Sequence, residues 1–463
     1  MLASISDWLW STVLVVLLVG IGSYFTVASR FVQFRYFTRM FAVLGAGLHR
    51  EKGQVSSFQA LVVSVAGRVG GGNIAGVAVA ISLGGPGAVF WMWVIGLMGM
   101  ATSFFECSLA QLYKQREPDG NFRGGPAYYL TRGINQRGMA IVYSLLLLIT
   151  FGFGFNAVQS YVVATSLHDS FGVPTWISGV ALVVVMGFVI FGGIQRIAAV
   201  AEIVVPVMAV SYFGAALLVI GLNISEVPAI FVQIVKSAFG FDSALGGGIG
   251  VAIMQGVKRG LFSNEAGLGS APNVAAVATV PHPANQGIVQ AFSVFIDTII
   301  MCSCTALIIL LSDVYQPGAE GVSGIALTQT ALAEHLGAWG GTFVSIALVL
   351  FAFSSIMYNY YLGENSLNYF SDSNKTLFNV FRVSVLMLLF WGAAQDLGTV
   401  FGFADLTMGL LGVVNLIGLI WMSKLALRVL RDYDEQLKTG AEPRLDPAKY
   451  ADLDLDKQAW PDK

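Results

Sequence analysis

The ten-residue run Gly67–Gly76, GRVGGGNIAG, is the feature that most constrains how this chain can fold. Five of its residues are glycine and one is arginine, and the run interrupts a hydrophobic segment long enough to cross a membrane. Helices in lipid keep their backbone polar groups paired, so irregular backbone at membrane depth is tolerated only where it is buried in protein or lines a cavity. A broken helix of this kind is typical of a transporter binding site.

The composition predicts a membrane protein. Of the 463 residues, 56% are hydrophobic and 11% are charged, whereas soluble domains carry about 25% charged residues. The net charge of −2 gives no reason to expect a nucleic-acid partner. Cys107, Cys302 and Cys304 lie in apolar runs and are interpreted as core residues, not as a disulfide or zinc site. The first apolar run, from about Leu9 to Ala28, lacks a cleavage pattern and is interpreted as a retained span.

Stretches of about 20 mostly apolar residues suit spanning helices, and the chain has eleven. They are predicted at roughly 8–28, 57–82, 87–112, 139–166, 175–193, 199–222, 246–263, 287–312, 340–362, 377–393 and 400–427. The stretches 226–240 and 323–337 have mixed polarity and are predicted to be short helices on the outer surface. The polar tail after Arg431 is predicted to be mobile.

The distribution of Lys and Arg predicts the orientation. With the N-terminus outside, 21 of the 25 basic residues fall in cytoplasmic loops or in the tail. The outer loops then hold only Lys236, while Arg68, Lys258 and Arg259 fall within or beside spans. This excess predicts a multi-pass protein of the cell (inner) membrane with a cytoplasmic C-terminus.

Eleven spans divide into one extra helix and two groups of five. The predicted parts are an N-terminal extra helix and loop (1–56), a first repeat (57–222), an outer surface helix (223–245), a second repeat (246–431) and a cytoplasmic tail (432–463). Both repeats open on a helix with glycine interruptions, GRVGGGNIAG and GGGIGVAIMQGVKRG. Matching breaks of this kind predict an inverted repeat with a binding site near the midplane. The fold class predicted is therefore an all-α membrane protein with 11 transmembrane helices.

The first break suits an anionic group. Gly70, Gly71 and Gly72 let the backbone leave helical geometry and approach a ligand closely. The amides that open the following half-helix lack intrahelical partners and lie at its positive dipole end, which suits a substrate carboxylate. Asn73 is predicted to cap this half-helix or to bind the ligand. The alternative is that the glycines serve close helix packing.

The second break is predicted near Gly256. The segment SNEAGLGSAP (263–272) would then form the inner mouth, and Lys258 and Arg259 would lie toward the cytoplasmic end. Asn264 remains either a ligand contact or a helix cap.

Charged residues within spans are costly and are expected to face the protein interior with a partner. Arg68 is expected to pair with Glu265 or Glu202, or to extend to the cytoplasmic surface. Glu106 and Asp297 are each either a structural partner or a proton site.

Two further spans carry polar side chains in apolar surroundings. Ser354 and Ser355 are adjacent hydroxyls, and together with carbonyls of an unwound helix they would suit a hard cation. The alternative is that both hydroxyls bond back to the preceding turn. Tyr358 and Asn359 add polarity within about one turn, and Gln159 lies in another apolar helix.

Four long motifs resemble the alanine or glycine:cation symporter family. They are GRVGGGNIAGVAVAISLGGPGAVFWMW, GVKRGLFSNEAGLGSAP, FIDTIIMCSCTALIILLS and FAFSSI…YYLGE, and the resemblance runs from about Phe58 to Glu364. The family is similar in architecture to LeuT-type sodium symporters, which implies a LeuT-like 5+5 inverted repeat plus one extra N-terminal helix here.

The resemblance also implies roles for individual residues. The amides of Gly71 and Gly72 would hold an amino-acid carboxylate, with Asn73 and Gln159 lining the pocket. The carbonyls of Ala66 and Val69, with the hydroxyls of Ser354 and Ser355, would bind Na⁺ as the coupling ion. The predicted site residues are Gly70, Gly71, Gly72, Asn73, Gln159, Gly256 and Asn359 for substrate, and Ala66, Val69, Ser354 and Ser355 for sodium.

The chain departs from the family at two places. The family often has Thr where Gly71 stands, and Gly-Trp where this chain has Tyr358-Asn359. Asn in place of Trp would enlarge the pocket and make it more polar, which leaves room for a longer polar substrate such as glutamine.

The sequence therefore predicts a non-enzymatic, sodium-coupled symporter for a small neutral amino acid such as alanine or glycine. The alternative is a proton-coupled carrier that uses Glu106 or Asp297. A membrane enzyme or passive channel is disfavoured because no catalytic set or repeated pore motif is present.

Overall fold

The computed structural model describes residues 6–46, 55–118, 120–240, 248–316, 324–371 and 374–461, which form a helical protein with a small two-stranded hairpin. The N-terminal half contains α1 (Ser6–Ala28), α2 (Val32–Arg35), α3 (Phe37–Ala46), α4 (Ser57–Arg68), α5 (Gly72–Gly84), α6 (Gly87–Leu112), β1 (Gln115–Arg116), β2 (Phe122–Arg123), α7 (Pro126–Ile134), α8 (Arg137–Phe171), α9 (Thr175–Ile190) and α10 (Gly193–Leu222). The C-terminal half contains α11 (Val227–Ala238), α12 (Gly248–Asn264), α13 (Ser270–Ala275), α14 (Pro283–Leu310), α15 (Ile325–Leu336), α16 (Ala338–Phe370), α17 (Lys375–Ala393) and α18 (Leu397–Lys438).

A helix lies at each of the eleven predicted spans within these described residues. Eight are long and apolar enough to cross a membrane, or nine if the bent pair α4–α5 is one span. α9 has 16 residues and α12 has 17, below the length of a full span, so the structure supports a multi-pass helical protein without establishing a count of eleven. Residues 246 and 247, and the basic residues Arg50 and Lys52, lie outside the described residues.

The helices pack in two sets around the broken helix. The first set consists of α6, α12 and α14, and the second consists of α8, α9, α16 and α17. The broken helix lies between them, because α4 packs on α16 and α5 packs on α12. Large apolar side chains such as Phe188, Ile203 and Val210 point outward and are exposed, as expected for a surface in contact with lipid.

Two elements outside the predicted spans pack against the helices. α15, within 323–337, buries Leu327, Thr328 and Leu332 and leaves Thr330 and Glu334 exposed, so its place on the outer surface stays a prediction. Gln329 Nε2 donates to Ser345 Oγ of α16 at 3.0 Å, so an apolar and hydrogen-bonding face anchors this helix. The prediction of a mobile tail is wrong: α18 continues to Lys438, and residues 439–461 fold back onto the ends of other helices.

Candidate functional site

The side chain of Asn73 holds the break between α4 and α5, where the axis bends by 49°. Its Oδ1 accepts a hydrogen bond from the Gly70 amide at 2.9 Å, so it folds back on the glycine run. Its Nδ2 donates to Asp297 Oδ1 at 2.7 Å and to Ser263 Oγ at 3.0 Å. Asn73 therefore ties the break to both α12 and α14.

Asp297 supports this arrangement from α14. Its buried carboxylate accepts hydrogen bonds from Asn73 Nδ2, from Ser263 Oγ at 2.9 and 3.0 Å and from Thr298 Oγ1 at 2.7 Å. These donors are neutral, and the ion pairs found among the described residues do not include Asp297. The carboxylate therefore positions Asn73, and through Asn73 it positions the glycine run.

Gln159 approaches the same run from α8. Its Oε1 accepts a hydrogen bond from the Gly71 amide at 3.2 Å. A Cβ atom at Gly71 would lie 3.1 Å from that oxygen, and one at Gly72 would lie 3.0 Å from the Phe262 ring. The structure thus brings Gly71, Gly72 and Gln159 together, and it adds Phe262, which sequence reasoning missed because its contact depends on how α12 packs.

The hydroxyls of Ser354 and Ser355 meet the last turn of α4. Ser354 Oγ lies 3.2 Å from the Ala66 carbonyl oxygen, and Ser355 Oγ lies 3.1 Å from the same atom and 3.2 Å from the Gly67 carbonyl oxygen. Both hydroxyls also lie within hydrogen-bond distance of the Phe351 carbonyl oxygen, at 2.9 and 3.0 Å. These five oxygens are here called the oxygen cluster. Val69 is not among the acceptors that the two hydroxyls reach in the described part of the chain.

The break explains why the two α4 carbonyls are available. In a continuous helix the Gly70 and Gly71 amides would donate to the Ala66 and Gly67 carbonyls, four residues earlier. Here those amides donate to Asn73 and Gln159 instead. The oxygen cluster is therefore buried with two hydroxyl protons shared among three carbonyls, a surplus of acceptors that suits a bound cation.

Asn359 lies one turn after Ser355 on the same helix, so the two side chains share a face of α16. It is 1% exposed, and neither its Oδ1 nor its Nδ2 has a hydrogen-bond partner among the residues that the structure describes. A buried amide without protein partners costs free energy, so its donor and acceptor groups are available to a polar group of a ligand or to water.

The second break lies elsewhere than predicted. α12 runs unbroken through Gly256, where a Cβ atom would overlap Ala88 O and Trp91 Cβ of α6. Gly256 therefore permits close packing, and the prediction of a break there is wrong. The chain leaves helical geometry after Asn264, with positive φ at Glu265, Gly267 and Gly269.

An aromatic seal formed by Phe155, Phe262 and Phe401 covers one side of the site. The ring of Phe262 stands 4.7 Å from that of Phe155 and 5.4 Å from that of Phe401. Next to it, Arg259 Nη2 lies 2.7 Å and Lys258 Nζ 2.8 Å from Asp405 Oδ2.

Trp10, in the first turns of α1, donates its indole N–H to the Asp405 carbonyl oxygen at 3.1 Å. Arg35, beyond the other end of α1, pairs with Asp434 near the tail. Lys258 and Arg259 therefore lie at the end opposite the tail, not toward the predicted cytoplasmic end. The prediction failed because α12 continues past both residues before it breaks.

Tyr358 closes the site toward the tail. Its ring lies against Gly67, and its hydroxyl donates to Glu265 Oε2 at 2.9 Å. Arg68 does not form the predicted ion pair with Glu265 or Glu202. It donates to Ser103 Oγ at 3.0 Å, to the Gln290 carbonyl oxygen at 3.1 Å and to Ser293 Oγ.

Glu106 holds the second break in place. Its carboxylate accepts hydrogen bonds from the Gly267 amide at 3.2 Å and from Asn415 Nδ2 at 3.0 Å. The described residues contain no group of three or more His, Cys, Asp or Glu side chains arranged to hold a metal ion. Cys107, Cys302 and Cys304 are buried free thiols.

Solved structures of other proteins share the fold of this chain. A solved manganese transporter from Eremococcus coleocola has a similar fold, with a TM-score of 0.52, 15% identity and coverage of 80% of this chain and 78% of that one.

Sequence relatives are closer. The chain is 48% identical to the probable sodium/glutamine symporter GlnT of Bacillus subtilis, over 95% of this chain and 91% of the relative. It is 47% identical to the amino-acid carrier protein AlsT of the same organism, over 95% and 92%. It is 37% identical to the sodium/alanine symporter AgcS of Methanococcus maripaludis, over 95% and 98%. The model of the sodium:alanine symporter family matches residues 1–447, and the chain belongs to that family of transporters.

Proposed function

We propose that this protein imports a neutral amino acid together with Na⁺ by alternating access. The observation that carries the proposal is the oxygen cluster, in which the Ala66 and Gly67 carbonyls meet two serine hydroxyls because the adjacent amides are engaged elsewhere. Na⁺ would bind there and join α4 to α16, and a ligand that binds one arrangement of the helices better than another shifts their equilibrium. Val69 remains a proposed further ligand.

The substrate carboxylate would bind at the start of α5. Gly71 and Gly72 supply amides at the positive end of that helix, and Gln159 already accepts from the Gly71 amide. A carboxylate would compete with Gln159 Oε1 for this donor and leave the side chain free to contact the substrate. Gly70 and Asn73 would shape the run, whereas the packing of Gly256 argues against direct contact.

The unpartnered amide of Asn359 would select the substrate side chain. It is buried one turn from the oxygen cluster, and it offers both donor and acceptor groups, which match the amide of glutamine better than the methyl group of alanine. The names of the relatives include both a glutamine and an alanine symporter. A competition panel of alanine, glycine, serine and glutamine on the protein and on Asn359→Leu tests the proposal. Glutamine should lose affinity in the variant while alanine keeps it, and equal losses would overturn the assignment.

The two broken helices support the proposed 5+5 inverted repeat, with 57–222 and 246–431 as its halves and 223–245 between them. The excess of basic residues supports an N-terminus outside and a tail inside the cell membrane. Impermeant labelling of Asp7→Cys, at an exposed position in the first turn of α1, and of a cysteine in the tail, in intact cells, tests the orientation. Labelling at residue 7 alone is expected, and labelling of the tail alone would show the opposite orientation.

A second candidate is proton coupling through Asp297. The bond from Asn73 Nδ2 to its carboxylate places it beside the glycine run, and relatives named as sodium/proton-dependent alanine carriers exist. Glu106 is less suited because its carboxylate contacts the second break. Uptake into proteoliposomes separates the two candidates. Stimulation by a sodium gradient at equal pH supports sodium coupling, and a requirement for a pH gradient without sodium supports proton coupling.

A further inference from the structure

The C-terminal tail, residues 439–461, crosses the ends of several helices on one face of the molecule. The Leu445 amide donates to the Pro281 carbonyl oxygen at 2.8 Å, just before α14. Asp456 Oδ2 accepts from the Arg116 amide at 3.0 Å, just after α6. Trp460 donates its indole N–H to the Leu112 carbonyl oxygen at 3.1 Å. These contacts attach the tail to the first helix set.

Ion pairs attach the same tail to other elements. Asp454 binds Arg132 of α7 through two hydrogen bonds of 2.8 and 2.9 Å, and Asp452 binds Arg428 of α18 through two of 2.7 and 2.9 Å. Each arginine lowers the pKa of its aspartate, so both carboxylates are charged at neutral pH. Glu442 lies 2.6 Å from Arg39.

Arg132 connects the tail to the second helix set. α7 packs on α8, and Thr131 Oγ1, next to Arg132, lies 2.7 Å from the Tyr369 hydroxyl of α16. The tail therefore bridges α6 and α14 on one side to α7 and its neighbours on the other. The oxygen cluster lies between the same two sets, because α4 meets α16 there.

Trp460 ends the tail in a buried position. It is 7% exposed, and its ring lies 4.6 Å from Lys114 Nζ, which also lies 4.1 Å from the Phe122 ring. Lys114 is itself buried and donates to the Ala278 carbonyl oxygen at 3.0 Å. Large buried aromatic groups anchor contacts strongly, so Trp460 and the ion pairs hold the tail at both ends.

We propose that the tail is an autoinhibitory latch that holds the two helix sets together on its face and slows the opening of that face. Opening there requires the first set to move relative to α7 and the second set. The latch must then release either Trp460 and Leu445 or the pair between Asp454 and Arg132. An exposed ion pair is worth about 0.2–1 kcal/mol, so loss of the Asp454 pair should shift the open fraction by roughly 1.5- to fivefold.

Cysteine cross-linking in the full-length protein tests the latch, since the three native cysteines are buried. In Arg132→Cys/Asp454→Cys, a reducible thiol cross-linker about as long as an arginine side chain leaves only the release of the buried Trp460 and of Leu445 as a route to opening. Uptake should therefore fall, and reduction should restore it. The matched control, Arg428→Cys/Asp452→Cys, ties the tail only to its own helix α18 and should transport normally when cross-linked. Equal uptake before and after cross-linking at 132 and 454 would overturn the proposal.

Release is tested with Asp454→Asn, which removes the charge and keeps the shape. Turnover should rise roughly 1.5- to fivefold, and an impermeant maleimide should label Leu455→Cys faster when Asp454→Asn is added. Unchanged turnover with faster labelling would show a tail that docks without inhibiting, which contradicts the latch. This inference uses the proposed transport activity as a readout. Absence of uptake in the unmodified protein for every amino acid tested would refute the proposed function, while the labelling comparison would still report whether the tail docks.

Discussion

Ser355→Ala removes the hydroxyl that lies 3.1 and 3.2 Å from the Ala66 and Gly67 carbonyl oxygens. If that hydroxyl is a sodium ligand, its loss removes one of the oxygens that replace water around the ion. A hydrogen bond or polar contact to a charged group contributes about 1.5–3 kcal/mol, which corresponds to roughly ten- to 150-fold in sodium affinity. The effect on folding should be smaller, because a neutral hydrogen bond contributes about 1 kcal/mol.

The assay is uptake into proteoliposomes over a range of sodium concentrations at fixed pH. The sodium concentration for half-maximal uptake should rise by that factor, and saturating sodium should restore most of the maximal rate. Ser345→Ala is the matched control: it removes another buried hydroxyl from α16, about 15 Å away along the helix, and should leave the sodium dependence unchanged. A Ser355→Ala protein with normal sodium dependence, or an equal effect of Ser345→Ala, would refute the placement of the ion in the oxygen cluster.

Three further results are expected. Gly70→Ala should abolish uptake because the new Cβ atom would overlap Ser355 Oγ. The control Gly76→Ala should retain uptake because its Cβ atom would meet no atom within 4 Å. Radiolabelled uptake at equal expression compares the two variants, and equal activity would contradict the prediction. Asp297→Asn should lower uptake by roughly tenfold through the glycine run and keep its sodium dependence, and full uptake by the variant would contradict positioning. Burial lowers the pKa of Lys114 to about 7 from its usual 10.5, so the docked tail, which buries this lysine, favours its neutral form. Docking should therefore tighten as the pH rises from 7 to about 10. The measurement is maleimide labelling of a tail cysteine, expressed relative to a free thiol at the same pH because the thiolate fraction itself rises with pH. Trp460→Ala should abolish the pH trend in this ratio, and a trend that persists would contradict the role of Lys114.

The hydrophobic pattern predicted the helices well because a lipid environment demands long apolar segments, and few other sequence patterns look the same. The first break was also readable, since three consecutive glycines disfavour a continuous helix. Asn73 does not cap α5, however, because its Oδ1 accepts from the earlier Gly70 amide. Sequence reasoning did not foresee that Asn73 and Gln159 engage the amides of the run and thereby free the carbonyls four residues earlier. That consequence depends on side chains from separate helices.

The second break shows the limit of reading glycines alone. Gly256 permits close contact with α6, whereas the helix ends where Glu265, Gly267 and Gly269 adopt positive φ. A glycine that permits packing and a glycine that permits a turn look identical in sequence. The position of the second break depended on contacts between α6 and α12, which the sequence does not show.

The tail illustrates a related limit. Its charged composition is typical of a mobile segment, but its aspartates meet arginines that lie far away in the sequence, such as Asp454 with Arg132. The aromatic seal and the pairing of Arg259 with Asp405 were likewise missed, because each joins residues separated by more than a hundred positions. Long-range pairing of this kind becomes visible only once the helices are packed.

The central claim is that the broken helix binds Na⁺ and a neutral amino acid together. The most direct test is uptake of radiolabelled glutamine and alanine by purified protein in proteoliposomes, with an inward sodium gradient and equal pH on both sides. The account predicts that the gradient drives accumulation of at least one of these amino acids and that replacement of sodium by potassium abolishes it. Accumulation of either amino acid at the same rate without sodium would contradict the account.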